Sequence, residues 1–203
     1  KFARSLIEIG LFDLAGKPSF IRELPTVENT TIPQAIESLH AEIRRLLAEH
    51  PHILAIGMAV PGPYLRDRGH TAVVSSMGQW RQVNFRAEFE HAFDVPVIIE
   101  QDARAGALAQ YLFDPNPANE NLAYYLLGEG IGLGVIDHGT VINGSLGAAT
   151  EIGHVSIDVN GKACDCGNVG CLERYCSAVA IHEAMLGNGM LATDSRLTHR
   201  EAC

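Results

Sequence analysis

The sequence predicts an α/β protein of two lobes built on a mostly parallel sheet, and three observations carry that expectation. Short apolar runs such as "ILAIGMAV" and "VPVIIEQD" alternate with segments of helical apolar spacing, the order of strand, crossover and strand. A loop rich in Pro and Asn, "DPNPANEN", then separates these from a fresh set of strand-like runs with tight glycine turns. The theme of strands followed by a glycine loop occurs on both sides of that loop. The expected lobes are residues 1–103 and 104–203.

Each element has its own signal. "SLIEIGLFDLAGKPSFIREL" alternates apolar and polar positions around the turn "DLAGKP", which predicts an antiparallel hairpin. Ile36, Leu39, Ile43 and Leu47 share one helical face, with Thr31 as cap and Pro33 in the first turn. Residues 53–60 predict a fully buried strand ended by "PGP". "NFRAEFEHAF" predicts a helix, "VPVIIEQD" a second buried strand, and "ARAGALAQYLF" another helix. In the second lobe "LAYYLLG", "GLGVIDHG" and "TVING" predict strands, and "AVAIHEAMLG" a helix. Beyond it "NGMLATDSRLTHREAC" is polar and has no obvious partner, so this lobe is expected to be incomplete.

Composition narrows the class of function. The chain has 203 residues, 47% of them hydrophobic and 19% charged, which suits a protein with a real core. No apolar run is long enough to cross a bilayer and "KFARSLIEIG" lacks the pattern of a signal peptide, so a cytoplasmic location and no membrane partner are expected. A formal charge of -9 argues against direct wrapping of a nucleic-acid backbone. Any contact with DNA is expected through a domain absent from this chain.

Four residues predict a metal centre. His154, Cys164, Cys166 and Cys171 follow an H-x9-C-x-C-x4-C spacing inside a loop rich in glycine and asparagine, residues 154–171. Thiolates and imidazole are the ligands Zn²⁺ prefers, and four of them close a tetrahedral shell with no open position. A structural zinc is therefore expected, walling something else. Cys176 and Cys203 fall outside the pattern and read as inert or surface thiols. Glu151 and Glu173 flank the loop; they read either as solvated carboxylates or as acceptors for a polyhydroxylated ligand.

The stretch "GAATEIGHVSID...GKACDCGNVGCLERYCS" resembles the signature of the ROK family of sugar kinases and sugar-responsive repressors. "AIGMAVPGP", "IIEQDARAGALA" and "LLGEGIGLGVIDHGTVINGSLGAATEIGH" extend the resemblance over nearly the whole chain. It implies an actin-like, ribonuclease-H-like two-lobed fold, a sugar or sugar phosphate in the interlobe cleft, and zinc beside it. It places Asp102 on the catalytic base of the kinases, and Gly62, Gln101, Asp102, Glu151, His154 and Glu173 among the sugar-binding residues. Gln101 stands where the family has Asn. From the residues alone, Asp102 reads equally as the cap of the helix that follows.

The phosphate-binding parts depart from the kinases. Lys1, Phe2, Ala3, Arg4 and Ser5 occupy the places of an Asp-x-Gly-Gly-Thr turn, so the glycines that let a backbone approach phosphate are gone. In the second loop Glu129 stands between Gly128 and Gly130, where the kinases carry Thr. A carboxylate about 4 Å from a phosphate charge costs roughly 4 kcal/mol at an effective dielectric of about 20. The resemblance then implies the effector domain of a ROK-type regulator without ATP, the chain being a fragment that lacks the N-terminal helix-turn-helix and part of the second lobe. An ATP-dependent sugar kinase is the alternative, and a homodimer or homotetramer the expected assembly.

Overall fold

The computed structural model describes residues 1–3, 7–25, 30–72, 78–114 and 120–192. Arg4, Ser5 and Cys203, singled out by the sequence, lie outside the described residues.

The hairpin forms as its alternation requires: β1 (Ile7–Phe12) pairs antiparallel with β2 (Pro18–Leu24), and Gly16 supplies the left-handed turn residue with φ +76°. Helix α1 (Ile32–Glu49) follows. Its cap is reciprocal, since Thr31 accepts from the Gln34 N–H while the Gln34 side chain accepts from the Thr31 N–H. The buried face is Ala35, Leu39, Glu42, Ile43 and Leu46, the predicted stripe displaced by one residue at each end.

Strand β3 (Ile56–Val60) leads through a bend into the short hairpin of β4 (Tyr64–Leu65) and β5 (His70–Thr71). A 3₁₀ turn at Gly78–Gln82 and the short helix α2 (Phe85–Phe89) precede β6 (Val97–Gln101), which pairs parallel with β3 and runs directly into α3 (Asp102–Phe113). Then come β7 (Leu122–Leu127), β8 (Ile131–Asp137) and β9 (Thr140–Val141), one antiparallel sheet. A 3₁₀ turn at Ile152–His154, α4 (Glu173–Cys176) and α5 (Ala178–Gly187) complete the described elements.

Four expectations need correction. Among the described residues only β3 and β6 pair in parallel, because the connections within the other sheets are tight turns, which reverse the chain. The buried strand predicted from residue 53 begins at Ile56, and Leu54 is 70% exposed. Strand β6 is buried except at Ile98, which is 65% exposed. The helix expected over "NFRAEFEHAF" is shortened to Phe85–Phe89.

The core of the first half gathers β1, α1, β3 and β6 around aromatic rings. Phe2 packs edge-on to Trp80 at 4.5 Å between centroids and to Phe85 at 5.7 Å. Helix α3 lies against β7 and β8 at unusually short range. A Cβ on Gly134 would stand 2.3 Å from the Ala103 carbonyl oxygen, and one on Gly106 2.4 Å from the Tyr124 ring. The small residues of "DARAGALA" and "GLGV" therefore let helix and sheet touch through their backbones. That contact seats the first turn of α3 over the start of β8.

Candidate functional site

The candidate site forms where the parallel pair ends. Val60 stands opposite Gln101 in the β3–β6 register, so the turn after β3 and the start of α3 are neighbours at the carboxyl ends of both strands. Gly62 occupies that turn with φ +74°, a conformation that favours glycine. Gln101, 3% exposed, caps α3 by accepting from the Arg104 N–H at 3.0 Å. The cap is therefore Gln101, and the reading of Asp102 as cap is corrected. Asp102 is the first helical residue, its Oδ1 accepting from the Ala103 N–H at 2.8 Å.

Two further carboxylates belong to the same neighbourhood, grouped around Glu151. Glu151 lies just before the Ile152–His154 turn and Glu173 opens α4. Burial pushes Asp102 up to about 6, against the pull of the Ala103 N–H, Lys1 and Arg104. Burial also pushes Glu151 up to about 7; Arg104 opposes this, while the Asp102 and Glu173 charges add to it. Asp102, Glu173 and Arg104 all act on Glu151, which places the three groups near it. Glu151 Oε1 is buried and has no hydrogen-bond partner. An orphaned buried acceptor is costly, and a hydroxylated ligand would satisfy it.

Glu173 is 7% exposed and its Oε2 accepts from the Ile131 N–H at 2.9 Å. The carboxylate thus grips the glycine loop between β7 and β8. Gly130 is small for that reason, since a Cβ there would meet the same Oε2 at 2.6 Å. The loop is tied at its other end, where the Gly128 carbonyl accepts from the Ala178 N–H at 2.8 Å. Glu129 is half-buried within it.

His154, Cys164, Cys166 and Cys171 come together as their spacing predicts. One ligating atom from each lies within 4.8 Å of all the others. His154 Nδ1 is 3.7 Å from Cys164 Sγ, and Cys166 Sγ is 3.6 Å from Cys171 Sγ. A thiolate tetrahedron around a zinc-sized ion has edges of about 3.8 Å, so the cluster can hold a divalent metal with little movement. Burial and the neighbouring thiols push Cys171 up to about 12. Three ionised sulfurs would repel one another there, and a bound cation is the natural counterweight. Gly170 closes the loop with φ +73° and lies so near Asp158 that a Cβ would overlap its carbonyl oxygen. Cys176 is exposed and apart from the cluster.

Sequence reasoning missed the positive charge beneath the carboxylates. Arg104 is 1% exposed, with Nε on Glu100 Oε1 at 2.8 Å and Nη1 on the Gly147 carbonyl at 2.9 Å. Arg66 holds the other oxygen of Glu100 at 2.7 Å. The i,i+4 spacing of Glu100 and Arg104 was visible, but it crosses from a strand into a helix, where the helical pairing rule gives no warrant. Arg104 ties the loop carrying Glu151 to the start of α3.

The profile of the ROK family matches residues 4–201. The chain belongs to the ROK family. Among curated relatives, a xylose repressor of Bacillus spizizenii is 35% identical over 150 residues, covering 74% of this chain and 38% of the repressor. A glucokinase of Streptomyces coelicolor is 30% identical over 176 residues, covering 86% of this chain and 54% of the kinase. The chain thus spans about half or less of these relatives. A crystal structure of a ROK family transcriptional regulator, a homolog of the E. coli MLC protein, superposes with TM-score 0.75 at 26% identity over 96% of this chain and 51% of that one. A ROK glucokinase of Streptomyces griseus, solved with glucose and AMPPNP, gives TM-score 0.76 at 24% identity over 91% of this chain and 58% of that one, a likeness of fold. The two-lobed sugar kinase and repressor fold is the fold of this family, and the expected architecture holds at that level. Among the described residues no helix is long and apolar enough to cross a membrane.

Proposed function

We propose that this chain is the sugar-sensing portion of a ROK-type transcriptional regulator. The observation that carries the reading is the convergence of Asp102, Glu151 and Glu173, with Glu151 Oε1 buried and unpartnered, beside the His154 and cysteine cluster. Three carboxylates suit the hydroxyls of a sugar or sugar phosphate, each hydroxyl donating to one of them. Gly62 and the Gln101 amide complete the set. Zinc is the metal we infer at His154, Cys164, Cys166 and Cys171; it would fix the loop between Glu151 and Glu173 and supply no reaction chemistry.

Two features favour sensing over phosphoryl transfer. The Ile131 N–H of the second glycine loop is already bonded to Glu173, so it is unavailable to phosphate, and Glu129 adds a carboxylate to the same loop. In the resemblance to the kinases Ala3 stands where the first loop carries a glycine. Ligand binding would then shift the population of interlobe arrangements, and a homodimer or homotetramer would pass that shift to DNA-reading domains outside this chain. The kinase reading has one observation in its favour: a carboxylate raised to about 6, as Asp102 is, suits a general base near neutral pH.

Calorimetry against hexoses, pentoses, their N-acetyl derivatives and their phosphates, with a coupled ATP assay on the same preparation, separates the readings. Binding of one member with no turnover supports the sensor. Turnover of about 1 per second or more, within the usual kinase range, would transfer Asp102 to catalysis and replace the sensor with the kinase. Absence of binding by every member would remove both.

A further inference from the structure

A pocket opens beside the three carboxylates. Its cavity of about 150 Å³ is walled by Tyr64, Arg66 and Asp67, by residues 143–147, and by the buried Arg104. Gly62, Asp102 and Glu151 do not line it, yet each wall continues a segment that carries one of them. Tyr64 stands two residues after Gly62, Arg104 two after Asp102, and Gly147 four before Glu151. Two residues of chain span at most about 7 Å, so the pocket begins about one sugar ring away from the carboxylates. Arg104 belongs to both places, since its charge acts on Asp102 and on Glu151.

The walls are fixed in place. Gly147 turns with φ +73°, and a Cβ there would stand 2.9 Å from the Tyr64 carbonyl oxygen, so the loop rests backbone against backbone on β4. Arg104 Nη1 holds the same loop through the Gly147 carbonyl, and the Asn143 carbonyl accepts from the Ala149 N–H at 3.1 Å. The charges cancel: Arg66 and Arg104 share the Glu100 carboxylate, and Asp67 supplies a second carboxylate. Two cations against two anions leave no surplus of positive charge for a phosphate. Donors and acceptors stand side by side instead. Asn143 gives its amide N–H to the Val141 carbonyl, which leaves its side-chain oxygen to accept, and Ser145 brings a hydroxyl that does both. Leu146 adds an apolar side chain that is 73% exposed. A pyranose complements such a lining, with hydroxyls at its edge and C–H groups on its faces.

We propose, resting on the sugar-sensing reading, that this pocket is a second saccharide subsite and that the ligand of this chain is a neutral disaccharide. One ring sits among Asp102, Glu151 and Glu173, and the next sits between Arg66, Asn143, Ser145 and Leu146. A cavity of about 150 Å³ is the size that admits a six-membered ring. The hydroxyls of the second ring donate to Asp67 and Asn143 and accept from Arg66 and Ser145, while one of its C–H faces covers Leu146. A phosphate in the same place meets the Asp67 carboxylate, so a phosphorylated monosaccharide gains nothing there.

The test is calorimetry on the 203-residue chain with glucose, xylose, glucose 6-phosphate, and the α- and β-linked disaccharides of glucose and of xylose. At least one disaccharide should bind at least about tenfold more tightly than its own monosaccharide, the worth of one or two added hydrogen bonds. Ser145→Trp fills the pocket from an exposed position; it should abolish that gain and leave the affinity for the monosaccharide as it was. Should the variant fail to fold, amide hydrogen exchange on the unaltered chain decides: the disaccharide should slow Ser145 and Leu146 at least about threefold, and the monosaccharide should not. A monosaccharide that binds as tightly as every disaccharide overturns the subsite and leaves the sensor reading standing. So does a gain that survives in folded Ser145→Trp, a bound disaccharide that leaves both amides at their free rates, or glucose 6-phosphate binding more tightly than every disaccharide. Binding by no member of the panel overturns the subsite and the sensor together.

Discussion

Replacing Glu151 by Gln should stabilise the protein above neutral pH and weaken its hold on ligand. Glu151 is pushed up to about 7 from a usual value of 4.5 by burial and by the Asp102 and Glu173 charges. For a carboxyl raised in the folded state, folding favours the protonated form. Its stabilising effect is complete below about pH 4.5 and is lost as pH rises towards about 7. The gap corresponds to about 3 kcal/mol at most, from roughly 1.4 kcal/mol for each pKa unit. Glu151→Gln removes this loss, so the variant should come within about 1 kcal/mol of wild type at pH 5 and exceed it by about 1 to 3 kcal/mol at pH 8. For a chain of this size that is a rise in Tm of about 2 to 10 °C. Urea denaturation at the two pH values measures it, and calorimetry with the sugar found to bind measures the functional cost, expected at about 1.5 to 3 kcal/mol. Equal stability differences at pH 5 and pH 8, or a variant less stable at pH 8, would refute the idea that Glu151 is buried among like charges.

Cys166→Ser should reduce bound zinc from about one per chain to little or none by elemental analysis, and a chelator should lower the Tm of wild type but not of the variant. Glu173→Ala should cost binding about 1.5 to 3 kcal/mol and also free the Ile131 N–H, which faster exchange at that amide would report. Arg104→Met leaves Glu100 buried with only Arg66 as cation, and should destabilise by about 3 to 5 kcal/mol in denaturant; Glu100→Gln in the same chain should restore part of it. Gly134→Ala drives a methyl against the Ala103 carbonyl and should cost about 1 to 3 kcal/mol while displacing Asp102, so stability and ligand affinity should fall together.

The sequence by itself determined the local parts of this protein. Thr31, Pro33 and Gln34 announce the start of α1 because a capping box is chemistry within one turn, and the glycine between Asp13 and Lys17 announces the first hairpin for the same reason. The metal cluster was equally legible, since its ligands fall within one loop and thiol spacing carries its own geometry. Asp102, Glu151 and Glu173 were nameable from the motifs that surround them.

Relations between distant segments were decided only by the tertiary structure. That Gln101 rather than Asp102 caps α3 depends on where β6 ends, which propensity does not resolve. The parallel sheet expected from alternating strands and helices shrank to the β3–β6 pair, because pairing is settled by which edges meet and not by the order of elements along the chain. Burial of Arg104 and the raised values of Asp102 and Glu151 arise from removing those groups from water in one place, a property of the packed site that no local pattern encodes. Alternation marks each run as a strand, but a strand's free edge becomes visible only when its neighbours are in place.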